Sequence, residues 1–280
     1  MQEPCEGDSL QHVPNLVVAC TDTSDLYYLY GSSCIRDFVR WVDTLLGEDN
    51  NNNDDDDDDS EEEDSKRQIT LIAHNFQGYD SYFIIQEYHR QARSLTQIRN
   101  GGKVLELKVG KTDHERIRFI DSMSFLTMPL SAFTKTFGFD EDDLNLKNGF
   151  FPHFFNTPAH QDYVGPLPAR EHYGPHTMSN ARYQEFDRWY TATAALQEEF
   201  HFRQELLNYC ESDVRLLRAG CDVFRREFHE LAGFDPFGHT TIASACSRDL
   251  RKSRLQRQTI ASEPVTGWRL RTNYSLVALE

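Results

Sequence analysis

An α/β domain is the fold class this sequence predicts, and three observations carry it. Short continuous apolar runs, Asn15-Leu16-Val17-Val18-Ala19-Cys20 and residues 69–73, have the length of buried strands. Longer segments repeat their apolar residues at three- and four-residue spacing, the period of an amphipathic helix. Acidic residues fall where elements meet, at Asp80 and Asp121. Strands interleaved with helices in one chain give a sheet covered by helices.

The elements follow in order. Residues 27–30 are the expected partner of the first strand. Ile35, Phe38, Val39, Val42, Leu45 and Leu46 place a helix over 33–46. Residues 48–65 contain no apolar side chain, bury nothing, and are expected as a disordered acidic loop. A strand over 69–73 and a helix over 82–93 come next. Leu105, Leu107 and Val109 alternate, as do Ile117 and Phe119, and the turn-like residues 110–114 between them predict a hairpin. Leu130, Phe133 and Phe137 ahead of Gly138 predict a short helix with a glycine stop. Residues 150–173 are aromatic, Pro- and His-rich and aperiodic, and read as packed irregular chain. A helix is expected around Tyr183, Phe186, Trp189 and Tyr190, and a long one over 202–231.

Charge and cysteine content exclude several classes. The formal charge is −16, but residues 54–64 hold ten acids in eleven positions; without them 35 acids face 29 bases, a balance of −6. That balance neither favours nor opposes a nucleic-acid partner. Six widely spaced cysteines without a Cys-x-x-Cys pair argue against a disulfide framework or a zinc knuckle. The leading Met1-Gln2-Glu3-Pro4-Cys5-Glu6 is acidic, unlike a targeting leader, and no apolar run reaches membrane-spanning length. A soluble intracellular protein without a membrane partner is expected.

Two motifs carry chemistry. Ala73-His74-Asn75-Phe76-Gln77-Gly78-Tyr79-Asp80 joins a strand to a helix. In Tyr209-Cys210-Glu211-Ser212-Asp213, Tyr209 and Asp213 are four residues apart and share a helix face. Carboxylates are hard oxygen ligands for Mg²⁺ or Mn²⁺, a phenol can orient a water, and an amide can hold a substrate end. Each motif alone has a plainer reading, since Asp80 is placed to favour a helix N-terminus and Asn75 to close a turn.

Joint occurrence in this order resembles the family B DNA polymerases that use a protein primer, of the organellar, viral and virus-like-transposon kind. Asn75-Phe76-Gln77-Gly78-Tyr79-Asp80 resembles the second motif of their 3′–5′ exonuclease domain and Tyr209-Cys210-Glu211-Ser212-Asp213 the third. Phe119-Ile120-Asp121-Ser122-Met123 resembles the segment that binds the single-stranded primer end, with Met123 in place of the usual Leu. Lys147-Asn148-Gly149-Phe150-Phe151-Pro152-His153 resembles the family's Lys-x-Gly-x-Phe-Pro-His run, and Tyr163-Val164-Gly165, Phe186-Asp187-Arg188-Trp189-Tyr190 and Asp235-Pro236-Phe237 also look familial.

The resemblance implies a ribonuclease-H-like exonuclease fold over 1–232 and, over 233–280, the connection to a polymerase palm. It implies a site for two Mg²⁺ or Mn²⁺ ions, with Asp80 and Asp213 as metal ligands and Tyr209 orienting the nucleophile. Asn75, Ser122 and Met123 would hold the single-stranded 3′ end of a primer–template, and Phe76 and Tyr79 would pack beside or stack on a base. Lys147 would steady the scissile phosphate or stand as a solvated lysine. Arg251, Lys252 and Arg254, with Arg248 and Arg257, would contact phosphates or form a solubilising face. Deoxynucleotides and a terminal protein primer would be partners of the complete enzyme.

One departure matters. The family's first exonuclease motif, an Asp-x-Glu pair on the opening strand, has no counterpart here: Glu6-Gly7-Asp8 has reversed order and stands beside Pro4. The polymerase motifs are also absent. The expectation is a fragment whose chain alone is inactive. Rival readings are a non-catalytic nucleic-acid-binding or interaction relic of a mobile element, and an active nuclease that recruits Asp121 to the metals.

Overall fold

The computed structural model describes residues 1–4, 10–46, 67–110, 115–140, 144, 146 and 149–256. The acidic tract of 48–65, Glu6, Asp8, Lys147 and Arg257 lie outside them. In chain order, β1 (Gln2–Pro4) and β2 (Leu10–His12) form an antiparallel hairpin, and β3 (Leu16–Cys20) pairs antiparallel with β4 (Leu26–Tyr30). Helix α1 (Cys34–Leu45), strand β5 (Arg67–Ala73) and helix α2 (Asp80–Arg90) follow. Strands β6 (Leu95–Asn100), β7 (Lys103–Val109) and β8 (Glu115–Asp121) complete a sheet of order β5-β8-β7-β6. Among the described residues only the β5–β8 pairing is parallel. Beyond it come α3 (Phe133–Phe137), β9 (Val164–Gly165), α4 (Asn180–Leu196), β10 (Phe200–His201), α5 (Phe202–Ala232) and α6 (Ile242–Asp249).

The mixed α/β architecture expected from the sequence is present. α1 inserts Cys34, Phe38, Val39 and Val42 at helical spacing into the core. Phe38, Val39 and Val42 share a cluster with Phe119 of β8, which meets Phe38, stacks on Phe76 with centroids 5.7 Å apart and contacts Tyr88 of α2. Each such buried aromatic contributes roughly 1.5–3 kcal/mol from water exclusion. A second cluster on the other face of the sheet joins Ile120, Phe125, Phe133, Leu216, Cys221 and Phe237. A third packs Phe151, Phe155, Phe200, Phe202 and Leu206 beneath the irregular chain of 150–173, which folds into short 3₁₀ turns.

Three elements differ from expectation. Helix α2 begins at Asp80, ahead of the expected 82, and stops at Arg90 because Ala92 turns left-handed at φ +53°. Strand β6 was not expected: its outer residues face water, so no apolar alternation marks it. The β1–β2 hairpin was not expected either, because its residues carry no strand pattern.

The strands on either side of α1 stand apart. Among the described residues β5 is an edge of its sheet, and β3 is paired only with β4. A cleft of about 2560 Å³ is lined by residues 16–21 in unbroken succession along β3 and by residues 68–74 along β5. Side chains alternate between the faces of a strand, so a cavity that touches every residue in turn runs along its edge. Ile35, Phe38, Trp41 and Leu45 of α1 and Val214, Leu217 and Cys221 of α5 also line it.

An ion pair is buried within the sheet. Glu106 on β7 and Arg118 on β8, 2% and 3% exposed, meet with Nη2 donating to Oε2 at 2.9 Å. Arg118 also donates to the carbonyl oxygens of Phe237 and His239, and the Thr240 hydroxyl donates to Glu106 at 2.6 Å. Lys108 approaches Oε1 of Glu106 at 2.7 Å. The network bolts the turn after α5 onto the sheet.

Burial alone would raise the Glu106 carboxyl, but hydrogen bonds from Arg118, Lys108 and Thr240 overcome it and bring it down to about 2. A depressed carboxyl contributes stability above its unfolded value, and loses it as pH falls toward the folded one. Stability measured by urea unfolding is therefore expected to decline between about pH 4.5 and pH 2. Glu106→Ala, which strands the Arg118 charge, is expected to cost about 3–5 kcal/mol at neutral pH and to flatten that decline. Gly220→Ala on α5 is expected to destabilise despite alanine's helix preference, by roughly 1–3 kcal/mol. Its added Cβ would stand 2.3 Å from the Phe133 ring.

Candidate functional site

The junction after β5 is built around Asp121. Parallel register places Asp121 opposite Ala73, at the ends of two neighbouring strands. Its fully buried carboxylate accepts the backbone N–H of Asn75 at 2.9 Å and Met123 at 2.9 Å through Oδ1, and that of Gln77 at 2.8 Å through Oδ2. Three charge-assisted bonds hold the loop in a conformation in which Asn75 is left-handed, φ +62°. Gly78 completes the turn, since its N–H reaches the Asn75 carbonyl and an added Cβ would crowd the Asn75 side chain at 3.1 Å. Asp80 then starts α2, where the helix dipole favours an acid.

The opposite wall comes from α5. Tyr209 stacks on Phe151, centroids 5.1 Å apart and 22° between planes, and meets the edge of His153 at 5.5 Å. Its phenol donates a hydrogen bond to Asp213 one helical turn later. Asp80, Tyr209 and Asp213 line the same cleft, together with His74, Tyr79 and Ser212. The structure thus brings the two sequence motifs onto one cavity.

Electrostatics in the cleft are those of carboxylates crowded by protein. Burial pushes Asp213 up to about 6, against the lowering effect of the Tyr209 hydrogen bond. Water reaches Asp80 along the open cleft, yet burial among the walls, followed by repulsion from Asp121, also pushes it up to about 6. The Tyr209 phenol is raised by burial and then by Asp213, so it stays protonated.

The other candidates divide. Tyr79 is 43% exposed and makes edge contacts with His12 and Phe83. Phe76 borders the cleft but is fully buried, stacked on Phe119, and serves the core. Ser122 is fully buried and its hydroxyl is hydrogen-bonded to Nδ1 of His74 at 2.9 Å, so it presents no free surface to a nucleotide. Met123 is half-buried, and neither it nor Ser122 lines the cleft. Arg251, Lys252 and Arg254 stand exposed on the turn of helix Leu250–Arg254 after α6, away from the cleft lining, with Arg254 paired to Asp249 at 3.3 Å. Asp121 is committed to three backbone donors, so it is not available as the substitute metal ligand that one rival reading needs.

Fit to a pair of Mg²⁺ or Mn²⁺ ions can be judged from the donors. Among the described residues no group of three or more His, Cys, Asp and Glu is placed to hold a metal. Asp80 and Asp213 offset half the charge of two divalent ions, and a small hard cation sheds water only for a fuller oxygen cage. These residues do not by themselves fit a two-ion site.

Sequence reasoning missed the structural role of Asp121 and the part played by His74, Phe151 and His153. The signal for Asp121 was its place at a strand end; the aromatic contacts join residues more than fifty positions apart and left none.

No helix among the described residues is long and apolar enough to cross a membrane. No solved structure matches the chain. A probable DNA polymerase of Ascobolus immersus is 25% identical over 178 residues, covering 61% of this chain and 14% of that protein. A probable DNA polymerase of Neurospora intermedia is 26% identical over 189 residues, covering 65% of this chain and 19% of that protein. The matched part thus spans less than a fifth of either relative. The model of DNA polymerase type B, organellar and viral, matches residues 62–265, more than half of the sequence and both site motifs. The chain belongs to the organellar and viral type B DNA polymerase family.

Proposed function

We propose that this chain is the 3′–5′ proofreading exonuclease part of a protein-primed DNA polymerase, a DNA nucleotidyltransferase acting in DNA replication. In this reading the cleft holds the single-stranded 3′ end of DNA. The observation that carries the reading is the meeting of Asp80 with the Tyr209–Asp213 pair on one cavity, from motifs more than a hundred residues apart. Asn75, exposed and fixed in a left-handed turn, does not line the cleft but offers its amide from the loop that leads to Asp80. Tyr79 is the remaining aromatic of that loop with surface to offer a base. The ribonuclease-H-like fold, residues 1–232 as its extent, and 233–280 as the passage to a palm belong to this reading.

The open edges of β3 and β5 support a second part of it. An extended strand carrying Asp-x-Glu, laid between them, would pair with both backbones and place carboxylates beside Asp80 and Asp213. α1 and α5 would cover its two faces, the setting of a central strand buried on both sides. Without such a strand the described residues supply binding surface but an incomplete set of ligands, and hydrolysis belongs to the complete enzyme. The terminal protein and deoxynucleotides likewise concern the complete enzyme alone.

An exonuclease assay with single-stranded DNA in Mg²⁺ or Mn²⁺ tests this. The chain, Asp80→Ala and Asp213→Ala are expected to share the same background rate. Metal-dependent turnover by the chain that both substitutions abolish would show that its own acids suffice. A fusion that supplies an apolar strand bearing Asp-x-Glu is expected to raise the melting temperature and to restore turnover. In that fusion Asp213→Ala should lower the rate by on the order of 10³-fold, equivalent to the several kcal/mol that metal-held charge contributes.

A further inference from the structure

Beyond the loop and α5, one wall of the cleft carries no assigned role. Gly149, Phe150, Arg182, Glu185 and Trp189 line it beside Tyr209 and Asp213. The Arg182 guanidinium lies over the Phe150 ring, 4.1 Å from its centroid. Phe150 in turn lies 5.3 Å from Trp189, with 45° between the planes. The approach depends on Gly149: its φ is +151°, and a Cβ there would stand 2.9 Å from the indole Nε1. The Arg182 charge is felt at the Tyr209 phenol, which places this group next to the functional pair.

Arg182 is exposed, and Phe150 and Trp189 are half-buried, so all three have surface to offer. Arg182 pairs with Glu185 at 2.8 Å, with both side chains about half exposed. An exposed pair of this kind contributes little, and it can yield to a stronger anion. A guanidinium stacked on a ring keeps its planar N–H edge free for the paired oxygens of a phosphate. Aromatic faces next to such a cation are the arrangement by which single strands are held without regard to sequence.

We propose that Phe150, Arg182 and Trp189 form a second contact site for single-stranded DNA, which takes the phosphate and base of a nucleotide upstream of the one at Tyr209. The proposal rests on the cleft being a single-strand site. It adds that the strand leaves Tyr209 along the N-terminal half of α4.

The full chain is labelled with 5-fluorotryptophan, and the Trp189 resonance is assigned through Trp189→Phe. Adding an oligothymidylate is expected to shift that resonance. Arg182→Ala, whose side chain is exposed, should keep the melting temperature and weaken binding roughly 5- to 50-fold. It should also reduce the slope of log affinity against log salt by about 0.7, the value for one phosphate contact on a single strand. Arg182→Lys should recover the salt slope and only part of the affinity. An unmoved Trp189 resonance together with wild-type affinity and slope in Arg182→Ala would overturn this site and leave the cleft reading intact. Failure of the unsubstituted chain to bind the oligonucleotide at all would overturn both.

Discussion

The carboxylate of Asp121 holds the candidate site in shape. It is fully buried, and the backbone N–H groups that face it come from two separate stretches, the loop after β5 and the turn after β8. A bond of this charged kind contributes about 1.5–3 kcal/mol, and leaving its partners unmade costs more, because the buried N–H groups have no water to turn to. The left-handed Asn75, the turn to Gly78 and the starting point of α2 at Asp80 follow from that anchorage. The same charge acts on Asp80 from behind and helps to keep its carboxyl up near 6. One acid thus organises the loop and at the same time adds to the burial that raises the carboxyl facing the cleft.

The second wall depends on rigidity over distance. α5 runs for 31 residues, and close packing of Gly220 on Phe133 seats it against the body. Arg218 fixes it to the end of β3 by donating to the carbonyls of Thr21 and Asp22. Toward the other end of the helix, Phe151 and His153 hold the Tyr209 ring between them. Tyr209 and Asp213 are therefore presented by a helix that is pinned on both sides of them, rather than by a loop.

Much of this was legible in the sequence where local pattern and packing agree. The helical spacing of Ile35 through Leu46 gives α1 almost to the residue, and Gly138 does stop α3 in a left-handed conformation. The alternation of Leu107 and Val109 against Ile117 and Phe119 gives the β7–β8 pairing. Strand β6 escaped because an edge strand facing water needs no apolar rhythm. In the site, Asp80, Tyr209 and Asp213 were legible as motifs, and they share the cavity. Phe76 and Ser122 belong to equally motif-like stretches, yet face inward, since a motif names residues without saying which side of a turn each will take. Arg182 gave no signal, because one arginine on an exposed helix surface looks like any other until Phe150 is folded under it.

Among the described residues the outer flanks of β3 and β5 are unpaired, with a consequence for how the chain behaves in company. An edge whose amide and carbonyl groups lack partners is a template for any extended backbone, and natural sheets usually blunt such edges with charge, proline or a covering helix. Here the rims are Leu16-Val17-Val18-Ala19 and Ile69-Thr70-Leu71-Ile72, without a charge or a proline between them. As concentration rises, these rims favour pairing between molecules, edge to edge.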